Sequence, residues 1–174
     1  MDNLLGALQK IKLFVFDVDG VLTNSQILLS ESGEQLRSMN IKDGYALQLA
    51  IKKGFQIVII SGATADPVVV RMNKLGVSEV FMGIKNKAAL LKRILIEKGL
   101  SAHEIMVMGD DVPDLEILKM AGVAACPQDA VHQVKKVCHF ISAKNGGEGC
   151  VREIIEKIMT LQHLWNEDLG VASI

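Results

Sequence analysis

A three-layer α/β fold of Rossmann-like type, with helices on both faces of a parallel sheet, is predicted by two observations. Short runs of consecutive apolar residues recur along the chain, and longer segments of helical period lie between them. A strand with several apolar residues in succession has no polar face, so both of its faces must be covered. Leu13-Phe14-Val15-Phe16 is such a run, residues 55–60 and 105–108 read the same way, and 80–82 and 123–125 give weaker ones. Helical segments at 43–53, 66–75, 87–98 and 112–121 are followed directly by Gly54, Gly76, Gly99 and Gly122. Glycine is the usual residue just past a helix C-terminus, where the chain turns left-handed. Repeated strand–helix units then imply a parallel sheet.

Residues 24–41 interrupt this rhythm. Two β-like pieces, 26–29 and 35–41, flank Glu31-Ser32-Gly33, which predicts a short β-hairpin flap after the first strand. A glycine-rich loop, Gly146-Gly147-Glu148-Gly149, precedes a last helix expected at 151–164, and the tail from Trp165 has no clear pattern. No repeat, low-complexity tract or linker divides the 174 residues, so a single domain is expected over 1–174.

Composition narrows the function classes. A formal net charge of −1 argues against general electrostatic binding of nucleic acid or an anionic membrane. It leaves room for a small anion held by a few local cations. No apolar run reaches the roughly 18–20 residues of a membrane helix. Residues 1–10 lack the basic start and cleavage site of a signal peptide. Cys126, Cys138 and Cys150 are widely spaced and form no C-x-x-C pair, which reads as buried or free thiols in the cytoplasm.

The chemistry-bearing residues fall where an open parallel sheet places its ligands, beyond the carboxyl ends of the strands. Asp17-Val18-Asp19-Gly20 follows the first strand, Ser61-Gly62 the second long one, and Gly109-Asp110-Asp111 the third, with Asp114 three residues on. Lys87 opens a helix. Any one of these clusters reads equally well as a turn, but their recurrence at one edge favours a site. Carboxylates from Asp17, Asp19, Asp110, Asp111 and Asp114 would repel one another unless a cation intervenes, and an all-oxygen set suits Mg2+. No His or Cys lies at these strand ends, which argues against zinc. The hydroxyl of Ser61 and the charge of Lys87 supply contacts for phosphoryl oxygens, so the group reads as a phosphoryl-transfer site.

Asp17-Val18-Asp19-Gly20-Val21-Leu22-Thr23, Ser61, Lys87 and Gly109-Asp110-Asp111-Val112-Pro113-Asp114 together resemble the four motifs of the haloacid dehalogenase superfamily. Asn40-Ile41-Lys42-Asp43-Gly44-Tyr45, the short hairpin, and the run from Gly146 to Glu153 resemble its sugar-acid phosphatases that have no cap domain. The resemblance implies hydrolysis of the phosphate monoester of an eight-carbon keto sugar acid, in lipopolysaccharide precursor synthesis, with a nine-carbon analogue as the alternative substrate. It implies Asp17 as nucleophile, Asp19 as general acid and base, and Mg2+ held by Asp17, the backbone carbonyl of Asp19, and Asp110. Asp114 would hold a metal-bound water or Lys87, and Asp111 is open between ligand and support. Lys87 fits the motif spacing better than its neighbour Lys85. A homotetramer, in which a neighbour closes the site, is also implied.

Two positions depart from that pattern. Ala63 follows Ser61-Gly62 where such phosphatases commonly carry Arg. Arg71 and Lys74, three apart on one helix face, could provide the missing cations or simply face solvent. Glu148 in the glycine loop varies among relatives, and the loop reads as a plain strand-to-helix connection. Two other classes compete. A phospho-acceptor signalling module needs no carboxylate two residues past its phosphorylated Asp, so Asp19 speaks against it. An interaction-only relative has no reason to keep Asp17, Asp19, Ser61, Lys87 and Asp110 together.

Overall fold

The side chains of Leu13–Phe16 alternate between two cores: Phe14 and Phe16 enter one, Leu13 and Val15 the other, and all four are fully buried. This is the geometry of a strand covered on both sides. The structure is a computed structural model describing residues 4–166 and 168–171; tail positions 167 and 172–174 fall outside them. The elements are α1 (Leu4–Leu8), β1 (Leu13–Phe16), β2 (Leu28–Leu29), β3 (Gln35–Leu36), α2 (Ile41–Lys52), β4 (Gln56–Ile60) and α3 (Asp66–Lys74). There follow β5 (Glu79–Phe81), α4 (Lys87–Lys98), β6 (Ile105–Met108), α5 (Leu115–Met120), β7 (Val123–Cys126), α6 (His132–Lys135), β8 (Phe140–Ile141) and α7 (Cys150–Leu161).

Six strands form one parallel sheet in the order β5-β4-β1-β6-β7-β8, and β2 and β3 form a separate antiparallel hairpin. Helices α1, α2, α3 and α7 bury residues in the core of Phe14 and Phe16, and α4, α5 and α6 in the core of Leu13 and Val15. The chain leaves β1 toward β4 and β5, then returns to build β6, β7 and β8 on its other side. The strand order therefore reverses at β1, and such a reversal opens a crevice beyond the strand's carboxyl end.

The expected three-layer fold is present, with shifted boundaries. Only two residues pair on each hairpin strand, and Ile41 belongs to α2, because Asn40 caps that helix by accepting from the Lys42 N–H at 2.9 Å. The last helix runs from Cys150 to Leu161 and stops short of Leu164. The helix expected from Val112 begins at Leu115, after a tight turn over Val112–Asp114. Gly122 does not cap it: its φ is not positive, and its lack of a side chain admits the Ala102 carbonyl oxygen, 2.7 Å from where a Cβ would stand. Strand β8 and helices α1 and α6 had no counterpart in the sequence reading. Among the described residues, no helix is long and apolar enough to cross a membrane.

Candidate active site

β1 and β4 carry Asp17 and Ser61 one step past their buried runs, and β6 carries Asp110 two steps past its own. The Asp17 N–H donates to the Met108 carbonyl at 3.1 Å, and the Ser61 N–H donates to the Phe81 carbonyl at 2.9 Å, so the sheet itself fixes both backbones. Asp17 and Asp19 have extended backbones, with ψ of 170° and 118°, within a turn that starts at Val18 and reverses at Gly20, whose φ is 88°. Buried Thr23 closes this loop by donating to the Val18 carbonyl (3.2 Å) and accepting from the Gly20 N–H (3.3 Å). A Cβ at Gly20 would overlap the Asp110 carboxylate, so glycine there lets the first and fourth motifs meet.

The resulting cavity, about 360 Å³, is lined by Asp17, Asp19, Ser61, Gly62, Ala63, Lys85, Lys87, Asp110, Asp111 and Asp114, together with Ser25 and the neighbouring apolar residues. At its base the Lys87 ammonium donates to Asp17 Oδ1 (2.8 Å) and Asp114 Oδ1 (2.7 Å). Asp114 Oδ2 accepts from the Asp110 N–H at 3.1 Å, so both oxygens of this buried carboxylate are engaged. Lys87 is the first residue of α4 and nearly buried, whereas Lys85 is exposed at the rim.

Oxygens of Asp17, Asp110 and Asp114 lie within 4.8 Å of one another. Burial, reinforced by the Asp114 charge, raises the Asp17 carboxyl to about 6 against the pull of Lys87. Asp110 rises to about 7, first through burial and then through Asp17, Asp114 and Asp111. Burial works to depress Lys87, but the two carboxylates outweigh it and raise the ammonium. Carboxylates pushed this far up are starved of positive charge, and a hard divalent cation is the partner they fit. Asp114 is already bonded on both oxygens, which leaves Asp17 and Asp110 as the better-placed carboxylate donors.

Residues outside the sequence reading complete the site. Arg37, from the hairpin side, forks onto Asp19: Nε donates to Oδ1 at 2.7 Å and Nη2 to Oδ2 at 3.3 Å. It is the one basic residue between Asn24 and Ile41, which was the only sequence signal available. Ser25 lines the cavity in the left-handed region, with φ 60°. The glycine loop does more than connect. A Cβ on Gly146 would overlap the Gly20 carbonyl oxygen, and the Gly147 N–H donates to the Val21 carbonyl at 3.0 Å, so this loop braces the loop bearing Asp19. Glu148 is exposed and does not line the cavity. Nearby, buried Asp43 accepts from the Arg152 N–H at 2.7 Å in the first turn of α7.

The substrate-side expectations divide. Arg71 is half-buried and lines a second cavity of about 670 Å³ with Arg37, Gln35, Thr64 and Val68, although its Nη2 also packs against Gly44 of α2. Lys74, in the last turn of α3, is exposed and lines neither cavity. Of the two, Arg71 alone reaches that cavity, although both lie on one face of α3. Asp111 is also exposed, and its Oδ1 accepts from the Val112 N–H at 2.7 Å to start the turn toward α5.

Known proteins resemble this chain over most of its length. A family model described as haloacid dehalogenase-like hydrolase matches residues 71–154. The 3-deoxy-D-manno-octulosonate 8-phosphate phosphatase of Escherichia coli K12 is 27% identical over 168 residues, 97% of this chain and 89% of its own length. The crystal structure of the enzyme of that name from Moraxella catarrhalis, in complex with magnesium, phosphate and KDO, is 31% identical, with TM-score 0.90 over 94% of each chain. A cobalt-bound phosphatase from Haemophilus influenzae is 28% identical, with TM-score 0.86 over 90% of this chain and 92% of its own. The chain belongs to the haloacid dehalogenase-like hydrolases, among their phosphatases.

Proposed function

We propose that this protein is a Mg2+-dependent phosphatase that hydrolyses 3-deoxy-D-manno-octulosonate 8-phosphate to the free sugar acid and phosphate. The observation that carries the reading is the Lys87 bridge between Asp17 and Asp114, set beside Asp110 at the point where the strand order reverses. Its substrate rests on the similarity to phosphatases of that name across nearly the whole chain.

Asp17 is the nucleophile, and its carboxylate attacks phosphorus to form an aspartyl phosphate, splitting one hard displacement into two. Lys87 holds Oδ1, which leaves the other oxygen to attack. Asp19 delivers a proton to the departing sugar oxygen and then takes one from the hydrolytic water. Ser61 sits where its hydroxyl can meet a phosphoryl oxygen, and its Oγ is held in place by the Ala63 N–H at 3.1 Å. Mg2+ fits Asp17, Asp110 and the Asp19 carbonyl, and when bound it offsets the clustered negative charge and polarises the phosphoryl group. Asp114 serves Lys87, and Asp111 serves the turn.

The exposed apolar side chains of Leu28 and Leu36, paired directly across the hairpin, give it a face that a homotetramer would cover. Phosphate release from a panel of sugar phosphates, with and without Mg2+, tests the function. The octulosonate ester is expected to lead in kcat/KM, and activity to vanish with chelator. A nine-carbon nonulosonate ester in first place would move the substrate assignment, and no preference over an aryl phosphate would end it.

A further inference from the structure

Asp19 has no unoccupied oxygen: Arg37 takes Oδ1 through Nε and Oδ2 through Nη2. The fork takes one acceptor site on each oxygen and fixes the orientation of the carboxylate, so turning Asp19 toward a leaving-group oxygen requires the fork to loosen. The guanidinium that must let go is carried just past β3, at the end of the hairpin. Its side chain is only 5% exposed, although every hairpin residue from Gln26 to Leu36 except Ser30 is exposed. Hydrogen bonds inside the hairpin are local: the Ser30 N–H donates to the Glu34 carbonyl at 3.0 Å, and the Gly33 N–H to the Ser30 carbonyl at 3.0 Å. Arg37 is thus a polar tie between a solvent-facing hairpin and the floor of the site.

The fork also marks the border between two cavities. Asp19 lines the one containing Asp17 and Lys87, and Arg37 lines the larger one with Thr64, Ala65 and Arg71. Residues 61–65 run along both, Ser61 to Ala63 in the first and Thr64 to Ala65 in the second. A phosphate monoester seated at Asp17 would send its organic part past Asp19 into the second cavity. Arg37, bonded to Asp19, stands where the two cavities meet.

We propose that Arg37 is a partner-exchanging residue: it latches Asp19 in the free enzyme and transfers its fork to a second anionic group, a carboxylate, on the organic part of the substrate. Binding of that carboxylate releases Asp19, so the enzyme selects for phosphate esters that are also acids. The inference rests on the sugar-acid reading above and assigns that reading's carboxylate a contact within this chain. A guanidinium matches a carboxylate bidentately, which an ammonium does not.

Steady-state kinetics of wild type, Arg37→Gln and Arg37→Lys, each with Mg2+, on octulosonate 8-phosphate and on p-nitrophenyl phosphate separate the possibilities. The aryl ester offers no carboxylate. Arg37→Gln is expected to raise KM for the sugar-acid ester by about 10- to 100-fold, the range of a charged hydrogen-bond pair. Its kcat/KM on the aryl ester should rise, because Asp19 is already released. Arg37→Lys should recover part of the sugar-acid KM. Equal losses on both esters would give Arg37 to the phosphoryl group or to the fold and overturn the proposal, as would no change on either.

Amide hydrogen exchange of the hairpin supplies an arm that needs no substrate. Residues 28–36 should exchange faster in Arg37→Gln and in Asp19→Asn, and the double variant should exchange no faster than either. Unchanged or additive rates would refute the latch. If wild type turns over the aryl ester but not the sugar-acid ester, the substrate reading falls by itself. The kinetic comparison then moves to pairs of accepted esters with and without a carboxylate, and the same outcomes decide.

Discussion

The floor of the site and the hairpin beside it differ in nearly every physical respect. β1, β4 and β6 are buried apart from the first residue of β4, and they align Asp17 and Ser61 through backbone hydrogen bonds that have no freedom to drift. Lys87, Asp17 and Asp114 form a nearly buried ionic cluster in which each member constrains the next. The hairpin has two paired residues per strand, exposed leucines on its surface, and the Arg37 fork as its polar link to the site. Groups that must hold sub-ångström geometry stand on the buried sheet, and the group that must change partners stands on the part least costly to move.

The largest expected effect lies on the floor. Asp17→Asn removes the nucleophile while keeping its shape, and turnover should fall by on the order of 10⁴-fold or more. Thermal unfolding should shift by only a few degrees, since an uncharged amide suits a site that already resists ionisation. Near-normal phosphate release from this variant would remove the covalent route. Lys87→Met comes next. It should lower kcat by about 10²- to 10³-fold, as for loss of a preorganised charge at the reacting group. It should also cost about 3–5 kcal/mol of stability by leaving buried carboxylates unpaired. A variant that loses activity but no stability would show that the cluster is not a rigid element of the fold.

How much of this contrast could be read from the sequence depends on where the cause lies. β1, β4 and β6 were legible because full burial writes itself into consecutive residues, and the residues just past them were then candidates by position alone. β8 was not, because Phe140 and Ile141 are a strand only by virtue of pairing with Ala125 and Cys126 of β7. Arg37 has no periodicity to reveal it, and its meaning is a contact with a residue 18 positions earlier. Gly146 acts across a still longer span, as a missing Cβ over the Gly20 carbonyl. Asp43 stands in the run 40–45 near a helix start, where nothing local marks it as buried. It is buried under α7, and burial raises its carboxyl to about 6 in spite of the Arg152 N–H. Pairwise contacts between distant loops leave no local pattern, and these residues are of that kind.

Proton and metal linkage gives a smaller but directional effect on the floor. Asp17 at about 6 and Asp110 at about 7 bind protons more tightly than in the unfolded chain, where both lie near 3.8. The folded state therefore carries more protons between about pH 4 and 7, and without metal its stability falls as pH rises through that window. Mg2+ competes with those same protons, so its affinity should climb with pH and level off above about 7. Each carboxyl contributes up to about tenfold per pH unit. Melting curves with and without Mg2+ at pH 5.5 and 7.5 check this, with the larger metal-induced shift expected at pH 7.5. Asp110→Asn should flatten the difference. A shift independent of pH would mean that these carboxylates are not where the metal binds.

The smallest effect belongs to the hairpin. Leu28 and Leu29 are 68% and 69% exposed, so Leu28→Ser and Leu29→Ser remove little buried surface within one chain. Measured at a concentration where the protein is monomeric, stability should change by less than about 0.5 kcal/mol, the ordinary range for a surface substitution. Raising the concentration turns the same pair into a test of assembly. If copies of this chain cover the hairpin, the wild type should gain stability with concentration and the serine variants should not. A loss of several kcal/mol already in the monomer would mean that the hairpin is packed as firmly as the floor, and the contrast between them would fail. A null result in the monomer with a concentration-dependent gap would sharpen it: the floor is stable on its own, and the hairpin acquires its order from what it meets.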